Sequence, residues 1–329
     1  MWPGDGREFE ASRGRPGGRR AMALIEVLVV ITVIGLLAGL LLPAVQGARE
    51  AARRAQCVAN LKQIGVALQN YESVHRMYPS SQLVNRWGFT TNCMSELAFL
   101  LPHLEQQALY ASINMDFADL EAADTPSLEN HTARNTRVAL FLCPSDGEPN
   151  HSNSYRFNRG RFSVGRYHND GPFSIGVLPR PANISDGLSR TAFVSERVGG
   201  TFVLDEPDRV RNVKVWNNPS TPIRSDAQFI PLCLAAPQNN WEHTSGRYWF
   251  YSGVANSHYN HNGTPNDRRP SCGTGYVRDS FGYGLHPPRS FHPGLVGVLF
   301  GDGHVEAITD SIQEQSWIAL GTYGAGDSP

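Results

Sequence analysis

The chain has 329 residues, enough for a membrane anchor plus one large or two modest domains. Its formal net charge is −1 and its basic residues form no stripe or cluster of nucleic-acid-binding kind, so nucleic acid is not an expected partner. None of the five cysteines (Cys57, Cys93, Cys143, Cys233, Cys272) forms a Cys-x-x-Cys pair, which argues against a cysteine metal centre. In an extracytoplasmic body they would form one or two disulfides and leave one thiol over.

Residues 1–21 are rich in arginine and end in Arg19-Arg20-Ala21. From Met22 to Leu42 the chain is apolar, and Glu26 is its one charged residue. As a helix this stretch would span roughly 30 Å at about 1.5 Å per residue, the thickness of a bilayer's hydrocarbon core. A carboxylate there costs about 2.5 kcal/mol or more at mid-membrane and less near an end, so Glu26 calls for a cationic partner. Pro43 closes the apolar run. Beyond it, Val58, Leu61, Ile64, Leu68 and Tyr71 recur at spacings of three and four, which predicts an amphipathic continuation over 43–76. One long helix from about Met22 to about His75 is expected, kinked or loosened at Pro43 and ended by Tyr78-Pro79-Ser80-Ser81.

The order of these features resembles the N-terminus of type IV prepilins and pseudopilins. In that family a basic leader precedes a small residue at the cut, the fifth mature residue is glutamate, and a proline ends the first apolar run. Here Ala21 is the small residue, Met22 the first mature residue and Glu26 the fifth, while Pro43 falls twenty-one residues after Met22. Ala21 stands where glycine is usual, and Met22-Ala23 where Phe-Thr is common. The resemblance implies cleavage after Ala21 by a prepilin peptidase and methylation of the new amine of Met22. It also implies pairing of Glu26 with the amine of a neighbouring pilin-like subunit, which sets subunit register. An ordinary signal anchor and a cleaved secretory signal with a cut near Gln46-Gly47-Ala48 are the competing readings. Loss of residues 1–21 takes the net charge from −1 to −3.

A second helical segment is predicted over about Ser95 to Ser112, interrupted by Pro102. From Thr136 the texture becomes short β-branched and aromatic runs punctuated by Gly, Pro, Asn and Asp, which predicts a β-rich domain. The strand candidates are Val138–Phe141, Thr191–Val194, Phe202–Leu204, Val213–Trp216 and Val296–Phe300. Residues 206–246 and 256–290 read as mostly long loops. The expected fold class is α+β, a pilin-like long N-terminal helix packed on a β-rich domain, with residues 77–329 forming the extracytoplasmic body.

His292, nine residues, then Asp302-Gly303 is the motif of a C-terminal domain found with prepilin-type leaders, in the family called domain of unknown function 1559. Asn60-Leu61-Lys62-Gln63-Ile64-Gly65, Leu142-Cys143-Pro144-Ser145-Asp146, Ile184-Ser185-Asp186-Gly187 with Glu196, and Trp317-Ile318-Ala319-Leu320-Gly321 resemble the same family. An acid–base or metal set of His292, Asp302 and His304 is disfavoured, because a hairpin strand at ~3.3 Å per residue would separate the first from the others. Asp302-Gly303 reads instead as a two-residue type I′ hairpin turn. His258 and His261 lie three apart without a close carboxylate, which makes a poor metal pair. Trp241, Tyr248, Trp249, Phe250, Tyr251 and Tyr259 are a candidate sugar platform, although strand alternation would send at least part of them to the core. No phosphate loop, nucleophile elbow or zinc-protease helix occurs, so neither an enzyme nor a cofactor is expected.

The leading expectation is a structural subunit of a bacterial type II secretion or pilus-like assembly in the cytoplasmic (inner) membrane. It would be single-pass and lipid-embedded, with its body outside the cytoplasm. The alternative is a membrane-anchored ligand- or glycan-binding protein that uses the same leader.

Overall fold

The computed structural model describes residues 19–80, 94–115, 129–147, 152–161, 170–174, 177–204, 206–216, 225–235, 241–274 and 284–324. Residues 1–18 and Cys93 lie outside the described residues. The chain divides into two units, Met1–Ala51 and Ala52–Pro329. In the first, the helix that begins at Arg19 exposes Leu24 to Ala48 on every face. That is what a predominantly apolar sequence gives when no protein packs on it, and it suits a lipid environment. The Thr32 hydroxyl donates to Leu28 O at 2.7 Å, which gives this polar group a partner without water.

Helix α1 is assigned continuously over Arg19–His75, with Pro43 inside it. Proline has no N–H to donate to the carbonyl of Gly39, four residues back, so a ladder bond is lost there without ending the helix. In the second unit the stripe of Cys57, Leu61, Ile64, Ala67 and Leu68 is buried. Short elements follow: α2 (Glu96–Leu100), a 3₁₀ turn at Leu101–Leu104 and α3 (Gln107–Ala111). Pro102 therefore converts the expected second helix into three pieces. After α4 (His131–Asn135), residues Ala139–Phe141 form a 3₁₀ turn where a strand was expected. A short apolar run has no period that separates strand from turn.

The strands are β1 (Tyr155–Asn158), β2 (Ala192–Glu196), β3 (Val213–Trp216), β4 (Trp241–Glu242), β5 (His258–Tyr259), β6 (Ser271–Thr274), β7 (Gly284–Leu285), β8 (Leu295–Phe300) and β9 (Val305–Thr309). Between them lies α5 (Asp226–Ala235), and α6 (Glu314–Gly321) follows β9. One sheet runs β5-β1-β2-β8-β9, antiparallel except for the parallel β1–β5 pair, and a smaller sheet runs β4-β3-β6-β7. Two expectations are corrected here. Phe202–Leu204 is not a strand: Phe202 has a left-handed φ of 59°, and Val203 and Leu204 are exposed. The predicted loops 206–246 and 256–290 contain α5 and all four strands of the smaller sheet.

Strand β8 shows how the layers form. Successive residues face opposite sides of a sheet. Val296, Val298 and Phe300 join Trp317 of α6 in one cluster, whereas Leu299 packs with Leu61, Ile64 and Leu68 of α1 in another. Small residues allow the close approach of α1: a Cβ on Gly297 would lie 2.9 Å from Leu61 Cδ1, and one on Gly65 2.8 Å from Leu299 Cδ1. The helix-on-sheet layer is the α+β arrangement expected from the sequence.

Candidate functional site

Strand β8 and its turn determine where the His-x9-Asp-Gly residues lie. His292 is buried just before the strand, and Asp302 and Gly303 sit at its far end. The six residues of β8 separate them by about 16–20 Å at ~3.3 Å per residue. Gly303 N–H donates to Phe300 O and Phe300 N–H to His304 O, so Gly301-Asp302-Gly303 is a three-residue loop. Gly303 has φ 91° and Asp302 has no positive φ. The two-residue type I′ turn is thus corrected to a tight turn followed by a left-handed glycine. Asp302 Oδ1 faces His304 Nδ1 at 2.5 Å and is 40% exposed, and the His304 ring stacks on Phe300. The motif's spacing is one strand plus its turn.

His292 meets residues from distant parts of the sequence. Its Nε2 lies 3.3 Å from Glu196 Oε1 and 3.6 Å from Cys143 Sγ. Cys143 is disulfide-bonded to Cys57 of α1. Glu196, at the end of β2, accepts the Gly297 N–H on Oε2 at 2.7 Å. The neighbouring Asp146 accepts Arg211 Nη1 at 2.7 Å and the Gly199 N–H at 2.8 Å. A cleft opens beside these groups, lined in part by Cys143, Asp146, Glu196, Arg197 and Arg289.

Behind the cleft, buried arginines fasten irregular chain to the sheets. Arg156 of β1 donates to Val254 O and Ser245 Oγ, and Arg197 to Pro287 O at 2.6 Å and Ser271 Oγ. Burial lowers the Arg156 pKa to about 9 against the opposing pull of Asp146, and burial with the nearby Arg156 and Arg289 holds that of Arg197 well below its usual value. His286 is held neutral by burial and by the surrounding arginines. No local pattern announces these roles, because each arginine bonds carbonyls or hydroxyls dozens of residues away.

The other candidate residues serve the core. His258 Nδ1 accepts the Gly253 N–H, so Nε2 carries the proton and donates to Glu96 at 2.8 Å. His261 donates from Nδ1 to Trp317 O and accepts Tyr259 OH on Nε2, and burial lowers its pKa to about 3. The two rings therefore bind different partners. Trp241, Trp249, Phe250, Tyr251 and Tyr259 are buried, which removes most of the sugar platform, and Tyr248 is partly covered beneath the Arg247 guanidinium. A second disulfide joins Cys233 of α5 to Cys272 of β6.

At the N-terminus, Ala21 and Met22 fall in the first turns of α1, and Glu26 is exposed on the same helix one turn beyond Met22. Pro43 lies at the end of the exposed apolar stretch.

The model of the family described as "Protein of unknown function (DUF1559)" matches residues 46–315. A type II secretion system core protein G of Pectobacterium carotovorum subsp. carotovorum is 36% identical over 72 residues, 22% of this chain and 46% of that protein. The Klebsiella pneumoniae protein of the same name is 34% identical over 64 residues, 20% of this chain and 46% of that protein. The chain thus spans about half the length of the curated relatives it matches. No solved structure matches it.

Proposed function

We propose, from the premise that this chain belongs to the DUF1559 family, that it is a pseudopilin-like structural subunit of a secretion or pilus-like assembly. The observation that carries the reading is the acid and the proline spaced along one exposed apolar helix, Glu26 and Pro43 of α1. The partial similarity to two type II secretion core proteins G supports it. In this reading a prepilin peptidase cuts after Ala21, and the helix from Met22 stays in the cytoplasmic membrane with the body outside. The methylated Met22 amine of one subunit neutralises Glu26 of the next. The desolvation cost of a carboxylate in hydrocarbon then favours the correctly registered neighbour, because a misplaced subunit leaves the charge unpaired. His292, Asp302 and Gly303 act structurally, anchoring and turning the strand on which α1 packs.

Intact-mass analysis of protein from native membranes tests the processing. The expected species begins at Met22 with one added methyl group. A mature chain beginning at Ala48 or later would show secretory-signal cleavage and contradict the reading.

A further inference from the structure

We infer that, in its dithiol form, the buried cluster of Cys57, Cys143, His292 and Glu196 is a zinc site. One ligand atom from each of the four residues lies within 4.8 Å of the others. Two thiolates, an imidazole and a carboxylate are the donor types that zinc takes in tetrahedral sites. With Zn–S near 2.3 Å and Zn–N and Zn–O near 2.0–2.1 Å, a tetrahedron has edges of about 3.5 Å between S and N and about 3.3 Å between N and O. The structure has 3.6 Å between Cys143 Sγ and His292 Nε2, and 3.3 Å between His292 Nε2 and Glu196 Oε1. The two sulfurs, joined here in the disulfide, must part to about 3.8 Å on reduction to complete the tetrahedron.

The surroundings hold the four ligands in place. The Gly297 N–H fixes Glu196 Oε2 and leaves Oε1 towards His292. Ser290 Oγ accepts the His292 N–H at 3.1 Å. Asn60, one turn beyond Cys57, donates to Leu142 O at 3.0 Å, next to Cys143. Such outer bonds orient metal ligands. All four residues are buried, and the cleft lined by Cys143 and Glu196 supplies an entry path. The disulfide and the zinc compete for the same two sulfurs, whose Cα atoms stand 5.0 Å apart. A phosphine and water reduce the disulfide to two thiols and a phosphine oxide. Zn²⁺ then displaces two protons to form two Zn–S bonds. This inference does not depend on the assembly role proposed above.

The test uses the full chain in detergent, reduced by a phosphine under argon, and titrates Zn²⁺ against a chromophoric chelator. Co²⁺ in a parallel sample reports thiolate ligation through its charge-transfer and tetrahedral d–d absorption. Expected are one metal per reduced chain, none per oxidised chain, and a thiolate-cobalt spectrum. Changing an outer-shell partner costs 10–100-fold in affinity, so His292→Ala should cost at least about 100-fold and the isosteric Glu196→Gln at least about 10-fold. Circular dichroism of the oxidised variants confirms that they fold. Absence of zinc from the reduced wild-type chain overturns the inference, whether that chain stays folded or not. So does binding that both variants retain at wild-type affinity.

Discussion

Replacing Gly303 by valine isolates the backbone requirement of the hairpin that ends the His-x9-Asp-Gly motif. Gly303 has φ 91°, and a Cβ built there meets nothing nearer than Gln69 Cγ at 4.0 Å, so a new side chain is not blocked by a neighbour. The cost is then conformational. A β-branched residue held in the left-handed region costs roughly 1–3 kcal/mol. For a body of this size each kcal/mol moves the melting temperature by about 2–4 °C, which gives an expected drop of about 2–12 °C. Gly303→Asn should recover much of the loss, because asparagine tolerates positive φ. Asp302→Asn should be nearly neutral, since the amide oxygen can still accept the His304 N–H that Asp302 Oδ1 now takes at 3.1 Å. Thermal melts followed by circular dichroism read all three. A Gly303→Val melt at the wild-type temperature, or an Asp302→Asn drop larger than that of Gly303→Val, would refute the turn assignment.

His261 makes stability depend on pH. Its folded pKa is about 3 against about 6.5 in the unfolded chain, so its contribution is complete above pH 6.5 and is lost as pH falls towards 3. The loss is up to about 1.4 kcal/mol per pH unit, or roughly 4–5 kcal/mol in all, and His286 adds to it in the same direction. His261→Gln should flatten the pH dependence of denaturant midpoints; an unchanged slope would mean that His261 is not buried neutral. A chain starting at Arg49 keeps the buried stripe from Cys57 to Leu68 and drops the exposed apolar stretch, so it should be soluble and folded under oxidising conditions. Aggregation of that chain in gel filtration would place the anchor boundary elsewhere.

The sequence and the structure agree where the controlling physics is local. The apolar run from Leu24, the stripe of Leu61, Ile64 and Leu68, and the alternation through β8 each lie within one element and match its period. Helix α5 escaped recognition because Pro231 inside it reads as a breaker. Strand β1, Tyr-Arg-Phe-Asn, carried a readable alternation but pairs in parallel with the two-residue β5, which local patterning does not foretell. His292 and Asp302 were legible as the two ends of a strand. Its meeting with Glu196, 96 positions earlier, and with Cys143 is a product of tertiary packing alone. The same holds for both disulfides, because cysteine spacing does not determine pairing.

The central claim is that Glu26 sets the register between neighbouring subunits. Crosslinking in native membranes tests it most directly, with cysteines introduced near the mature N-terminus of otherwise wild-type and Glu26→Val chains. Valine makes the span more apolar, so both chains should insert equally. The account predicts ladders of crosslinked multimers for wild type and monomer alone for Glu26→Val. Ladders of equal intensity in the two chains would contradict it.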